Sequence, residues 1–185
     1  MKKILMLLAD GFEELEFIAP WDILIRGGLQ VQTASVSGRL DVSSVRGLSV
    51  RADSTLESVM NESFDLVFLP GGGPGTKNLR ASALVVERVK KQVQAGGAVA
   101  AICAAPLVLG DALLTIGKNV TCFPSCQAEL APMAGTIVQD RVAHDGLIWT
   151  SRGAGSAAEF GFALLAHFAS PQKSAEVLAQ MQFPQ

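Results

Sequence analysis

The residues best suited to covalent chemistry lie in Gly97-Ala98-Val99-Ala100-Ala101-Ile102-Cys103-Ala104-Ala105-Pro106-Leu107-Val108-Leu109. An apolar run, a cysteine, two alanines and a proline read as a buried strand, a sharp turn and a helix opened by proline. This is the logic of a nucleophile elbow, where the nucleophile sits in a strained turn and its near neighbours are small because backbones crowd there. Ala101 and Ala105 meet that demand. Amides at the start of the helix would then favour the thiolate, drawing Cys103 below the ordinary thiol value of about 8.5. The alternative is a cysteine that is simply a small buried residue.

A second segment, Pro70-Gly71-Gly72-Gly73-Pro74-Gly75, follows the apolar run Asp65-Leu66-Val67-Phe68-Leu69. It reads as a strand passing into a loop whose backbone is free to take positive φ. In a doubly wound sheet, ligands bind beyond the carboxyl ends of the strands, which is where this loop and Cys103 both fall. The N–H of Gly72 or Gly73, with that of Ala104, is expected to form an oxyanion hole. A glycine loop alone is equally well a tight turn. Within Glu13-Glu14-Leu15-Glu16, Glu16 on its own reads as a first-turn glutamate complementing a helix dipole.

The elements that must hold these residues alternate between short β-branched apolar runs and stretches of helical period, the pattern of a mostly parallel sheet with helices on both faces. Strands are expected at 3–9, 30–36, 65–69, 98–102 and 147–151, with weaker candidates near 48–51, 120–123 and 136–143. Helices are expected at 13–27, 80–95, 104–115, 155–168 and 171–181. Helix 13–27 sets Leu15, Ile18, Ala19, Asp22, Ile23 and Arg26 at spacings of three and four before Gly27-Gly28. All 185 residues fit one α/β domain, an open sandwich.

With 49% hydrophobic and 17% charged residues, the chain lies far from disordered compositions. A formal net charge of −2, with no basic cluster beyond Lys90-Lys91, argues against nucleic acid or an anionic membrane as partner. The N-terminal apolar run ends after six residues at Asp10-Gly11, too short for a span and read instead as a buried strand. Three cysteines without a disulfide-scaffold spacing point to a reducing, cytoplasmic setting. Cys122 and Cys126 lack the further donors a metal would require, and no metal or organic cofactor is expected. Of the two histidines, His144 adjoins the turn signal Asp145-Gly146 and His167 falls late in a helix, so neither is a strong catalytic candidate.

Taken together, Asp10-Gly11-Phe12-Glu13-Glu14-Leu15-Glu16, Leu69-Pro70-Gly71-Gly72, Ala100-Ala101-Ile102-Cys103-Ala104-Ala105-Pro106 and Thr150-Ser151-Arg152-Gly153-Ala154-Gly155 resemble the ThiJ/PfpI superfamily. Within it they are most similar to the branch of the Parkinson-disease-associated protein deglycase and bacterial YajL. The resemblance implies a flavodoxin-like fold, a homodimer, a cysteine nucleophile at Cys103 and a carboxyl group at Glu16. Glu16 helps only when protonated, since a charged carboxylate would raise the thiol pKa. It also implies basic positions at Arg26 and Arg46 as candidate anion contacts, and places Cys122 as a candidate redox partner able to resolve an oxidised Cys103. Where several members of the superfamily carry a catalytic histidine, this chain has Phe123. Cys-His peptidase chemistry is therefore not expected. The activity implied is a cofactor-free glyoxalase or deglycase acting on small reactive carbonyls such as methylglyoxal, or on glycated proteins. The competing reading is an oxidative-stress sensor or redox-regulated chaperone working through oxidation of Cys103 without turnover.

Overall fold

The computed structural model describes residues 1–184. In chain order its elements are β1 (Lys3–Leu8), α1 (Glu14–Arg26), β2 (Gln30–Ser35), β3 (Asp41–Ser43), β4 (Ser49–Arg51), β5 (Ser54–Thr55) and β6 (Leu66–Leu69). Then come α2 (Gly73–Ala81), α3 (Ala83–Gln94), β7 (Ala98–Ile102), α4 (Pro106–Asp111), β8 (Asn119–Val120), α5 (Gln127–Leu130) and β9 (Thr136–Ile137). The chain continues through β10 (Val142–Asp145), β11 (Ile148–Ser151), α6 (Ala157–Phe168) and α7 (Pro171–Gln180).

Seven strands form one sheet in the order β10-β11-β7-β6-β1-β2-β5, in which only the β10–β11 pair is antiparallel. Alternate side chains of β1 feed opposite faces, Leu5 and Leu7 into one core and Ile4, Met6 and Leu8 into the other. The first core is closed by Leu79, Val85, Val89 and Val108 from α2, α3 and α4; the second by Ile23, Leu24, Phe160, Leu164 and Val177 from α1, α6 and α7. This is the flavodoxin-like α/β sandwich expected from the alternating pattern. No helix among the described residues is long and apolar enough to cross a membrane.

Three expected elements differ in ways local chemistry explains. The glycine segment is not all loop: α2 begins at Gly73, with Gly72 as N-cap at φ 91° and Pro74 in the first turn. The single helix expected at 80–95 is interrupted at Ser82, whose extended backbone ends α2 and whose hydroxyl accepts from the Val85 N–H to start α3. The helix expected at 104–115 shrinks to α4, because Cys103 takes φ 67° before it and Leu113 takes φ 62° after it, a left-handed conformation at either end. The segment 136–143 divides between β9 and β10.

β1 runs to α1 on one side of the sheet while β6 pairs on its other side, so the strand order reverses between β1 and β6. At that reversal the two following loops are laid directly on one another. Gly75 N–H donates to Gly11 O at 3.0 Å, Glu13 N–H donates to Gly71 O at 3.1 Å, and the Asn78 side chain donates to Asp10 O at 2.8 Å. A Cβ on Gly11, whose φ is 86°, would stand 2.5 Å from Pro74 Cβ. Replacing Gly11 by Ala adds both that clash and a left-handed strain, and is expected to lower stability by about 2 kcal/mol or more in urea unfolding, with Cys103 reactivity falling in parallel.

Candidate active site

The three glutamates of the E-E-x-E run have separate structural duties. Glu13 is the N-cap of α1, its carboxylate accepting from the Glu16 N–H at 3.0 Å. Glu14 accepts from the Ser44 hydroxyl and from Arg46 N–H and Nη1, which hold its carboxyl down to about 2, the Ser44 bond being the largest cause. Arg46 also pairs with Glu13 at 3.0 Å, so the turn between β3 and β4 is tied to the start of α1. Only Glu16 points inward. It is 1% exposed, and one carboxyl oxygen accepts from the Gly71 N–H at 3.0 Å.

Cys103 sits at the end of β7 in a left-handed conformation, held there by its own N–H donating to Ser151 O at 2.9 Å and its carbonyl accepting from Phe123 N–H at 2.7 Å. The flanking strand β11 on one side and the segment after β8 on the other thus fix the elbow. The Glu16 carboxyl lies against the Cys103 thiol. The spot a Gly71 Cβ would occupy is 2.5 Å from Glu16 Oε2 and 2.7 Å from Cys103 Cβ, so only glycine lets the two side chains meet. Gly72 and Ala104 N–H groups face the sulfur; Gly73 lies one residue further on, already the first residue of α2.

Burial raises the Glu16 carboxyl to about 7, opposed by the Cys103 thiol and the Gly71 and Ala154 amides, while Glu13 adds to the rise. Burial also raises the Cys103 thiol, and a charged Glu16 raises it further; the Gly72 and Ala104 amides pull the other way. The amides of a helix start do not dominate here, because α4 begins only at Pro106 and the sulfur is mostly enclosed. Two acids in contact that each disfavour a second negative charge titrate as a unit. With the carboxyl at about 7, the pair near neutrality is divided between a form holding both protons and a form carrying one negative charge, and thiolate beside protonated carboxyl is one arrangement of the singly charged form.

The remaining candidates fall unevenly around this centre. Phe123, where the catalytic histidine of related sequences is absent, lies beside Gly153, and with Pro124, Arg141, Arg152 and Ser156 they line a cavity of about 320 Å³ next to the site. Arg46 stands over the start of α1, engaged by Glu13 and Glu14. Arg26 is ten residues further along α1 than Glu16, about 15 Å, and is paired with Asp22 at 2.9 Å, so the fold does not bring it to the sulfur. Cys122 is fully buried in the core on the opposite face of the sheet from the one Cys103 packs against, its thiol pushed up to about 12 by burial and then by Cys126. The N–H of its chain neighbour Phe123 donates to Cys103 O, so the Cys122 backbone passes close to the elbow while its side chain enters the other core, together with Cys126. His144 stacks on Trp149 at 3.7 Å between ring centroids, with His167 beside it; both histidines belong to this aromatic cluster. The sequence reading missed Gly71 and Ala154 as contributors. Gly71 is signalled by its place just after the end of the strand at Leu69; Ala154 falls within the Thr150–Gly155 motif, but nothing in that motif singles out its amide.

Residues 2–167 match the DJ-1/PfpI family. The chain is 38% identical to protein dj-1beta of Drosophila melanogaster over 95% of its own length and 94% of that protein's. The crystal structure of that fly protein superposes with a TM-score of 0.96, covering 100% of this chain and 99% of the other at 36% identity. A protein of Caenorhabditis elegans described as a glutathione-independent glyoxalase is 33% identical over 95% of this chain and 92% of its own. The structure of Toxoplasma gondii DJ-1, oxidized, superposes with a TM-score of 0.92 at 33% identity, covering 100% of both chains.

The raised Glu16 carboxyl gives a pH dependence of defined sign. The folded state holds this proton more tightly than the unfolded chain, so its contribution is fully present below about 4.5, falls as pH rises, and is gone above about 7, a change of about 3 kcal/mol. Glu16→Gln should flatten that part of the stability profile in urea titrations. Alkylation of Cys103 should show an inflection near 7 in the wild type that is missing in Glu16→Gln.

Proposed function

The chain belongs to the DJ-1/PfpI family, and from that premise we propose that it is a cysteine-dependent, cofactor-free glyoxalase or deglycase acting on reactive carbonyls such as methylglyoxal or their protein adducts. The observation that carries this reading is the Cys103 thiol at a left-handed elbow, with a buried carboxyl of pKa about 7 against it and two backbone N–H groups at the sulfur. The 33% identity to a worm protein described as a glyoxalase supports the substrate class.

In the proposed reaction the Cys103 thiolate adds to the aldehyde carbon, and the negative charge passes to the carbonyl oxygen, next to the Gly72 and Ala104 amides. Protonation of that oxygen gives a hemithioacetal. Glu16, then a carboxylate, takes the proton from the former aldehyde carbon and returns it to the neighbouring carbon, converting hemithioacetal to thioester. Water hydrolyses the thioester to lactate and frees the thiol. The sum is methylglyoxal plus water to lactate, with no oxidant or reductant. Phe123 and the Gly153 turn narrow the approach beside the carboxyl.

A second reading, a redox sensor or redox-regulated chaperone working through oxidation of Cys103, is favoured by one observation: the thiol is partly exposed, with a proton donor and two amides ready for added oxygen atoms. The two readings separate on turnover. Catalytic loss of methylglyoxal with stoichiometric lactate is expected of the wild type. Cys103→Ser should lower the rate at least a hundredfold, and Glu16→Gln roughly a hundredfold or more. Consumption limited to one equivalent per chain would favour the sensor.

We further propose that the protein is a homodimer in the cytoplasm. Leu15 (58% exposed), Ile18 and Ile25 form an exposed stripe on α1. Val45 and Leu48 of the β3–β4 turn are likewise exposed, and Phe17, Ile18, Trp21 and Val50 bound a largely apolar cavity between α1 and β4. An apolar surface of this continuity calls for cover. Light scattering should give twice the chain mass for the wild type and a monomer for Ile18→Glu; a monomeric wild type would remove the proposal.

A further inference from the structure

At the opposite edge of the sheet, before β6 and β7, a cavity of about 390 Å³ is bounded by Met60, Glu62, Phe64, Arg88, Lys91 and Gln92, among others. Its unusual member is Arg88. On α3 the buried positions are Val85, Arg88, Val89 and Gln92, the i, i+3, i+4, i+7 pattern of a core-facing stripe, so the guanidinium stands where the period calls for an apolar side chain. It is 5% exposed.

The neighbouring charges each have a counter-ion. Lys91 is paired with Glu87 at 2.9 Å, and Glu62 is turned to Lys3 at 3.8 Å. Arg88 has no carboxylate within 4.0 Å among the described residues, and Glu62 acts on it only through space. Its Nη2 donates to Gln92 Oε1 at 2.9 Å, and Gln92 Nε2 in turn donates to Phe64 O at 2.8 Å, which fixes the orientation of the amide. The guanidinium lies 5.3 Å from the Phe64 ring centroid. Its Nε is buried without a partner, and no acceptor is recorded for Nη1.

A guanidinium held in place by its neighbours, with donors unspent and no paired carboxylate, is the arrangement that recognises a planar or tetrahedral oxyanion. Burial lowers the Arg88 pKa, opposed in part by the more distant Glu62, without neutralising a group of this basicity, so the charge persists with no carboxylate in contact. We propose that this cavity is a second ligand site, distant from Cys103, which binds a small oxyanion, a carboxylate or a phosphate, on the Arg88 guanidinium against the Phe64 ring. The surrounding wall of Met60, Phe64 and Ala95 would take a short apolar substituent.

The test is titration of the full chain with inorganic phosphate and, separately, with acetate, butyrate and benzoate, followed by 1H–15N spectra that include arginine Nε–H signals. Saturable shifts at Arg88 Nε–H and at the amides of 61–64 and 97 are expected, with apparent affinity weakened at least tenfold in Arg88→Met. That substitution keeps an aliphatic side chain at the site and is expected to fold, as its own spectrum and thermal midpoint will show. Saturation by phosphate alone assigns the site to phosphate; saturation that strengthens from acetate to butyrate or benzoate assigns it to carboxylates with an apolar tail. No saturable shift with any of the four anions, or equal shifts in Arg88→Met, would overturn the proposal. Cys103 alkylation should be the same in Arg88→Met and wild type, so failure here leaves the carbonyl chemistry standing and failure there leaves this site standing.

Discussion

The site depends on how closely two chain reversals approach at the carboxyl edge of the sheet. The loop after β1 and the loop after β6 exchange backbone hydrogen bonds between Gly11, Glu13, Gly71 and Gly75, closer than side chains on those residues would allow. That approach carries Glu16, one turn into α1, over the end of β6 and against a cysteine at the end of β7. Without it the carboxyl would be an ordinary helix-start glutamate in water and the thiol an ordinary buried cysteine. Glycine at 71 is therefore a functional requirement expressed as a steric one.

Bringing two acids together in a poorly hydrated place makes neither simply stronger. Burial resists the charged form of both, and whichever ionises first resists the other. The pair thus loses its first proton only around neutrality and resists losing the second, an arrangement suited to chemistry in which the same proton must be given up and taken back. The amides of Gly72 and Ala104 tilt the balance toward sulfur, and they do so from the backbone, where no side-chain substitution removes them directly.

Much of this was legible in the sequence. The apolar runs identified the parallel strands, and the strand-Cys-Ala-Ala-Pro pattern located the elbow before any geometry was known. The reason is that buried strands and tight turns restrict composition strongly. What was not legible came from contacts across the fold. The division of labour among Glu13, Glu14 and Glu16 depends on Ser44 and Gly71, 30 and 55 residues distant. Ser82 breaking a helical stretch, and Leu113 ending α4 early, turn on single backbone angles that composition does not dictate. That the Cys122 side chain enters a different core from Cys103 follows from which face of the sheet each segment covers, which a one-dimensional reading of their spacing cannot supply.

The sheet's two borders have a consequence for how the molecule behaves when crowded. One border is β5, only two residues long; the other is β10, antiparallel and ending in Asp145, whose carboxylate is occupied by Lys118 and the Asn119 N–H. Neither offers a long, uncommitted row of amides and carbonyls on which a foreign strand could propagate. The borders of a seven-stranded apolar sheet thus leave little template for edge-to-edge strand addition, the contact by which such sheets propagate into fibrils.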